Sequence, residues 1–291
     1  MQENHEIITT PPVDAASVLL LRDSDAGLQV LLMRRAQASQ VLGGAYVFPG
    51  GKLDAEDHAP EVLQCLSEPP GQLLARLHET ELEPTRAAGL FMAALREAFE
   101  ECGVLAGQDS LGPALARQLR SLVGQRGWHQ SLQQTGQALR TEDLLPWSRW
   151  ITPRQPAVTN KRFDTRFFVA RVCDDQVARH DDFETTDSVW LTPMQALTRY
   201  AAGEIDLVAP QIMSLYELKA HRSVAQALQE ARQRPPALIE PHPFDQDGQR
   251  ILCYPGDACH PVSTRAMRGP TRLLFAQGRF VPLGGMSQLL D

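Results

Sequence analysis

Arg96-Glu97-Ala98-Phe99-Glu100-Glu101-Cys102-Gly103-Val104 is the stretch on which the reading of the chain turns. With Phe91 as origin and 100° per residue, Phe91, Leu95, Ala98 and Cys102 fall within about 60° of one another. This is the core stripe of a helix, predicted over Phe91 to Cys102 and stopped by Gly103. Cys102 belongs to that stripe and is expected as packing. Glu97, Glu100 and Glu101, at i, i+3 and i+4, share a face of about 100° turned away from the stripe. Like charges so placed repel by a few tenths of a kcal/mol per pair unless cations sit among them. Mg²⁺ suits such a face, because it takes a few carboxylates, waters and substrate phosphate. Metal-assisted attack on a pyrophosphate is chemistry that such a site supports. Arg96, four residues before Glu100, is placed to hold it. A lone Glu-x-x-Glu-Glu is more often a solvated acidic face, so the surroundings decide.

Upstream, the apolar runs Ala16 to Leu21 and Leu28 to Met33 flank Asp23-Ser24-Asp25-Ala26-Gly27 and predict a hairpin. Gly43-Gly44 and Pro49-Gly50-Gly51 bracket a short aromatic strand, and such a turn brings backbone close to a neighbour. From Asp57 to Ala88 the chain is rich in Glu, Pro, Leu and Gln, a helical excursion. Its carboxylates Glu61, Glu68, Glu79, Glu81 and Glu83 form no dense cluster, so it is expected to pack beside the site without supplying metal ligands. Downstream, Leu111 to Leu139 predicts a helical hairpin turning at Gly124 to Gly127, and Trp147 to Ile151 and Phe163 to Val172 read as strands. Val189-Trp190-Leu191 is a further short strand, and Thr192-Pro193 opens a helix through Tyr200. Helices are expected over 209–219 and 223–233, and the tail from Pro235 as a closing hairpin or interface arm.

Lys plus Arg number 28 against 35 Asp plus Glu, a net charge of −7 with no basic tract, which argues against a nucleic-acid partner. The apolar run Ala15 to Leu21 falls far short of the roughly 20 residues that span a bilayer, so no membrane role is expected. Residues 1–10 carry two Glu and no Lys or Arg, unlike a secretory or transit leader, and a cytoplasmic protein is expected. The five cysteines include no CxxC and are expected as reduced thiols. The spacing of Cys253, Asp257, Cys259 and His260 is not that of a zinc site.

Residues 96–104 reproduce the second half of the Nudix box, Arg-Glu-U-x-Glu-Glu-x-Gly-U, with the apolar residues Ala98 and Val104 at the U positions, so the chain resembles the Nudix hydrolases. In that family the box opens with Gly, five residues and Glu. Here Gly51 is followed at that offset by Asp57, with Glu56 beside it, and about 31 extra residues lie between Asp57 and Arg96. The stretch Leu31-Leu32-Met33-Arg34-Arg35-Ala36, Gly44 and Phe48-Pro49-Gly50-Gly51 is similar in register to the signature of coenzyme A diphosphatases, with Met33 in place of a Thr and Gln40 in place of an Arg. With Trp150-Ile151-Thr152-Pro153 and the run Arg162 to Phe168, the resemblance is to the nucleoside-diphosphate-linked moiety X motif nineteen group, over about residues 15–220.

That resemblance implies an α/β/α sandwich with a mixed sheet: a tail 1–14, a Nudix domain 15–200 with a helical insert at 58–88, and a helical extension 201–291. It implies Mg²⁺ or Mn²⁺ held by Gly51, Glu97, Glu100 and Glu101, with Arg96 in support and Glu97 or Glu184 as base. Glu184 is the match to a loop carboxylate ahead of a Trp strand, with Asp182 and Asp187 behind it. Arg34, Arg35, Phe48 and Gly50 are the expected substrate contacts, and Lys52 is a cation near the same site. Arg162, Asp164 and Arg166 read equally as a phosphate grip or as an ion cluster. The expected reaction is hydrolysis of coenzyme A or acyl-coenzyme A to 3′,5′-ADP and (acyl-)phosphopantetheine. An ADP-ribose or NADH pyrophosphatase and a non-catalytic nucleotide sensor are the alternatives, and a homodimer is left open. The C-terminal Gln288-Leu289-Leu290-Asp291 is no peroxisomal address.

Overall fold

Neighbouring residues of the first strand belong to different cores. In β1 (Val13–Ser24), Leu19 and Leu21 enter one apolar cluster, and Ala16, Val18 and Leu20 enter another. The strand is covered on both faces, which is why it is written as a continuous apolar run. The structure, a computed structural model, describes residues 4, 6–37, 43–108, 113–136, 138–173, 176, 178 and 185–291.

After β1 come β2 (Gly27–Arg35), β3 (Tyr46–Val47), β4 (Gly50–Lys52), α1 (Pro60–Leu63), α2 (Pro70–Leu77) and α3 (Pro84–Cys102). Then follow α4 (Pro113–Arg126), α5 (Trp128–Thr135), β5 (Leu145–Ile151), β6 (Phe163–Arg171) and β7 (Thr185–Leu191). The chain continues with α6 (Pro193–Ala202), α7 (Ala209–Leu218), α8 (Val224–Gln233) and β8 (Ala237–Ile239). The strands order as β3-β2-β1-β6-β5-β8, with β4 also on β1 and β7 on β2. β1 and β6 run parallel, as do β5 and β8, while β2 and β5 meet β1 and β6 antiparallel. This is a mixed sheet. α1, α2, α3 and α5 pack on one face, through Leu63, Leu73, Phe91 and Trp128, and α6, α7 and α8 on the other, through Leu197, Ile212 and Val224. The expected α/β/α sandwich is the observed one.

Three expectations need correction. The box helix begins at Pro84, seven residues before Phe91, so 84–88 belong to it and not to the insert. Pro84 starts the helix because its missing N–H falls where no intrahelical bond is needed. The glutamate face, expected to look away from the core, is covered in part: Glu100 is exposed, while Glu101 is 4% exposed and the neighbouring Arg96 5%. The segment at 55–77 and β4 cover that side of α3, and Gly89 lies so close to His58 that a Cβ there would strike its Cβ. Finally, the extension is helical only through Gln233. Beyond it, β9 (His242–Gln246), β10 (Gln249–Cys253), β11 (Arg272–Ala276) and β12 (Arg279–Pro282) form an antiparallel sheet in the order β12-β11-β10-β9. Leu252, Leu273, Phe275 and Phe280 of that sheet share a core with Phe48, Trp150 and Phe167 of the main one.

The insert is tied to the sheet by charge. Glu79 accepts from Arg166 Nε at 2.9 Å and pairs with Arg149 Nη1 at 2.9 Å, while Asp164 accepts from Arg149 at 2.9 and 2.6 Å, and Asp14 pairs with Arg166 and Arg86. Arg166 and Asp164 are thus an ion cluster, and Arg162 donates to the Thr152 carbonyl at 2.9 Å. No helix among the described residues is long and apolar enough to cross a membrane.

Candidate active site

The Pro49-Gly50-Gly51 turn is held against β1, where Ser17 Oγ and Val18 N both donate to the Pro49 carbonyl, at 3.0 and 2.9 Å. At Gly50 only glycine fits this approach. A Cβ on Gly50 would run into the backbone of Ala16 and Ser17, and one on Gly51 into the Glu97 carboxylate. Gly50 N–H donates to Glu101 Oε2 at 3.0 Å, so the third glutamate of the box fixes the turn from behind.

Arg96 organises the rest. Its Nε and Nη2 each donate to Asp57 at 2.9 Å, Nη2 also reaches the Lys52 carbonyl at 3.0 Å, and Nη1 serves both Glu97 at 2.8 Å and Glu100 at 3.1 Å. Burial opposes the Arg96 charge, yet the Asp57 hydrogen bonds and the Glu97 carboxylate hold its pKa well above the usual value. Burial likewise opposes ionisation of Asp57, but the hydrogen bonds from His129 and Arg96 outweigh it and the carboxyl is lowered. His129 Nε2 lies 3.0 Å from Asp57 Oδ1 and its Nδ1 2.8 Å from Glu56 Oε2. Asp57, fully buried, therefore takes the acidic place ahead of the insert, and the chain of contacts runs from α5 through Asp57 to α3.

Burial pushes the Glu97 carboxyl up to about 7 against the pull of Arg96, with Glu100 adding to the rise, and burial raises Glu100 as well. Two carboxylates share one Arg96 nitrogen, and the remaining negative charge is poorly solvated. Among the described residues no three His, Cys, Asp or Glu side chains are gathered into a metal-ligand cluster, since Glu97 and Glu100 lean on Arg96 and Glu101 on Gly50. Hard oxygen donors and undercompensated charge are nevertheless the donor set that a small divalent cation takes.

Glu97, Glu100, Arg96, Gly50, Gly51, Lys52, Arg35 and Phe48 line one cavity of about 670 Å³. Contrary to expectation, Arg34 is exposed and does not line the cavity, while Arg35, on the other side of a register shift between β2 and β7, does. The strand neighbour of Arg34, Asp187, accepts from Tyr46 Oη at 2.8 Å and is likewise absent from the cavity wall. Glu184 and Asp182 lie outside the described residues. Glu61, Glu68, Glu79, Glu81 and Glu83 do not line the cavity. Asp257 is taken by Arg272 at 2.8 and 2.9 Å. Cys102 is fully buried in the core of α3. Missed in the sequence were Lys161, a further cation on the cavity wall, and His129. The basic pair Lys161-Arg162 ahead of an aromatic strand was a signal for the first; nothing local marked the second.

The model of the NUDT19 Nudix domain matches residues 80–219, from just ahead of α3 to the end of α7. The chain is 30% identical to the acyl-coenzyme A diphosphatase NUDT19 of Gallus gallus, over 70% of this chain and 67% of that one. The chain is a Nudix hydrolase of the NUDT19 type. Its human relative of the same name is 28% identical over 68% of this chain and 62% of its own length. The hydrolase spans 61% to 67% of the length of these vertebrate relatives. The crystal structure of a Nudix hydrolase from Alicyclobacillus acidocaldarius superposes with a TM-score of 0.61 at 28% identity, covering 76% of this chain and 97% of that one. The NUDT19-type hydrolase thus keeps the Nudix core and places the insert helices α1 and α2 between the glycine turn and α3.

Proposed function

We propose that this Nudix pyrophosphohydrolase cleaves the pyrophosphate of coenzyme A or an acyl-coenzyme A to 3′,5′-ADP and (acyl-)4′-phosphopantetheine. The observation that carries the reading is the single cavity in which Glu97, Glu100 and Gly51 meet Arg35, Lys52 and Lys161 on one side and an apolar wall on the other. Cations beside carboxylates suit a phosphate substrate, and the apolar wall suits the long neutral arm of that substrate. The acyl-coenzyme A diphosphatase activity for which the vertebrate relatives are named points the same way.

Gly51 and Glu100 would hold Mg²⁺ or Mn²⁺ at the cavity wall, with Glu101, which does not line the cavity, behind them at the Gly50 N–H; the ion would supply charge that neutralises pyrophosphate oxygens. Glu97, with its carboxyl near 7, takes the proton from the attacking water at a carboxylate oxygen. Water oxygen bonds to one phosphorus, the bridging P–O bond breaks, and the leaving phosphate keeps the electron pair. Arg96 keeps Glu97 and Glu100 in place, and Arg35, Lys52 and Lys161 bind substrate phosphates. The five cysteines are widely spread and include no CxxC, which suits a reducing compartment, and we place the enzyme in the cytoplasm.

Coenzyme A, an acyl-coenzyme A, ADP-ribose and NADH, each offered with Mg²⁺ or Mn²⁺ and analysed by mass spectrometry, test the reading. The coenzyme A species are expected to be cleaved fastest. Rapid cleavage of ADP-ribose with no cleavage of any coenzyme A species overturns it.

A further inference from the structure

The two faces of β6 and of the residues that lead into it differ in what they hold. On one, Arg162 is tied to the Thr152 carbonyl, and Asp164 and Arg166 are tied into the ion cluster with Arg149, Glu79 and Asp14. On the other, Lys161, Phe163, Thr165 and Phe167 are spaced by two, as residues that share one face of a strand are, and all four line the active-site cavity. Exposure falls along this row: Lys161 is exposed, Phe163 and Thr165 are half-buried, and Phe167 is buried. Lys161 therefore stands at the mouth of the cavity and Phe167 in its depth.

Strand register places the box beside the middle of the row. Thr165 lies opposite Ala15 of β1, and Ala15 lies opposite Lys52 of β4. Lys52 follows Gly51, against which the Glu97 carboxylate rests, so a pyrophosphate held at these groups meets Lys52. Lys161 precedes Thr165 by four residues, up to about 13 Å of extended chain, with Phe163 between them. It is thereby placed for a second anionic group, set apart from the pyrophosphate by a spacer that can lie over an aromatic ring. Arg35, at the end of β2, stands on the far side of β1 from this row.

The Lys161 ammonium makes no hydrogen bond or ion pair among the described residues. Its backbone, by contrast, is fixed on both sides. Lys161 N–H donates to Thr159 Oγ1 at 3.2 Å, Phe163 N–H donates to Thr152 Oγ1 at 3.1 Å, and the Arg162 carbonyl accepts from Val13 N at 2.9 Å. A cation carried on so fixed a base binds an anion with little further ordering of the chain. In coenzyme A the one phosphate outside the pyrophosphate is the ribose 3′-phosphate, one sugar away, while the pantetheine arm is neutral.

We infer that Lys161 reads the 3′-phosphate of the substrate, with the ribose and base lying over Phe163. This rests on the reading of the enzyme as a coenzyme A diphosphatase. It adds that the preference for a 3′-phosphorylated nucleotide is set by the connection from β5 to β6 and not by the box.

Lys161→Ala, Lys161→Arg and Lys161→Glu test it, with coenzyme A and dephospho-coenzyme A as paired substrates. The ratio of kcat/KM for coenzyme A over that for dephospho-coenzyme A is expected to fall about tenfold in Lys161→Ala, to recover in Lys161→Arg and to fall further in Lys161→Glu. Because the side chain is exposed and has no partner, the melting temperatures are expected to stay together, which separates recognition from a structural role. A ratio unmoved in Lys161→Ala and Lys161→Glu overturns the inference, and equal weakening of both substrates does the same by placing Lys161 on the pyrophosphate. If the unaltered enzyme cleaves no coenzyme A species, calorimetry with 3′,5′-ADP and 5′-AMP decides. Tighter binding of 3′,5′-ADP that is lost in Lys161→Ala keeps the subsite while the substrate reading falls. Equal binding of the two nucleotides by the unaltered enzyme removes both.

Discussion

Asp57 and Arg96, 39 positions apart and on either side of the inserted segment, face each other through two hydrogen bonds of 2.9 Å, with neither side chain more than 6% exposed. The insert is a detour between two halves of one ion pair. Removing one partner of a buried pair leaves an uncompensated charge, at a cost of about 3–5 kcal/mol. Asp57→Ala is therefore expected to lower stability by that order in denaturant titration and to abolish turnover, because Arg96 no longer fixes Glu97 and Glu100. A stable, active Asp57→Ala would show that the pair is incidental.

Gly51→Ala places a methyl group against the Glu97 carboxylate while leaving β4 paired with β1. Loss of activity by about a hundredfold, with divalent-ion affinity reduced in calorimetry and the fold unchanged in circular dichroism, is expected, on the scale of a misplaced reacting geometry. Near-normal kinetics would mean that Glu97 moves aside freely.

Glu101 answers to a different rule from Glu100, because its carboxylate accepts the Gly50 N–H. Glu101→Gln keeps an acceptor there and is expected to stay folded. Glu101→Leu leaves that N–H unpaired and is expected to cost about 1–3 kcal/mol in addition to activity. Equal melting temperatures for the two variants would contradict this.

Burial holds the Glu97 carboxyl up to about 7, from an ordinary 4.5. A raised folded-state value means that the folded protein favours the protonated carboxyl. Its contribution to stability is full below about 4.5 and is lost as pH rises through about 7. The melting temperature of the metal-free enzyme should fall over that interval by more than that of Glu97→Gln. Divalent-ion affinity of the unaltered enzyme should rise over the same interval and level off above it. Parallel curves for the two proteins would remove Glu97 as the titrating group.

What the sequence made legible was local. The spacing of Glu97, Glu100 and Glu101, the stop at Gly103 and the register of Phe48 to Gly51 all sit within one element or turn, where period and turn chemistry speak directly. The contacts of Arg96 with Asp57 and of Asp57 with His129 join residues 39 and 72 positions apart, and no local pattern encodes them. The burial of Glu101 was not legible because helix periodicity says which residues share a side, but not whether a second layer covers it. The four-stranded sheet was not legible in a tail that reads as a closing hairpin or an interface arm, because its outer strands, His242–Gln246 and Arg279–Pro282, carry prolines and polar residues that mask a strand pattern.

Arg35 and Arg34, adjacent in sequence, separate phosphate contact from surface charge. Arg35 lines the cavity and Arg34 does not. Arg35→Ala is expected to raise KM for coenzyme A about tenfold or more, as the loss of a charge-assisted contact does, and Arg34→Ala to change it less than about twofold. A comparison with dephospho-coenzyme A then shows whether Arg35 reads the 3′-phosphate or the pyrophosphate.

Hydrolysis of an acyl-coenzyme A in ¹⁸O-labelled water, with Mg²⁺ or Mn²⁺ present, tests the account most directly. One labelled oxygen is expected in the terminal phosphate of either 3′,5′-ADP or acyl-4′-phosphopantetheine, with the thioester intact. Label in a released carboxylic acid, with free coenzyme A as the other product, would contradict it.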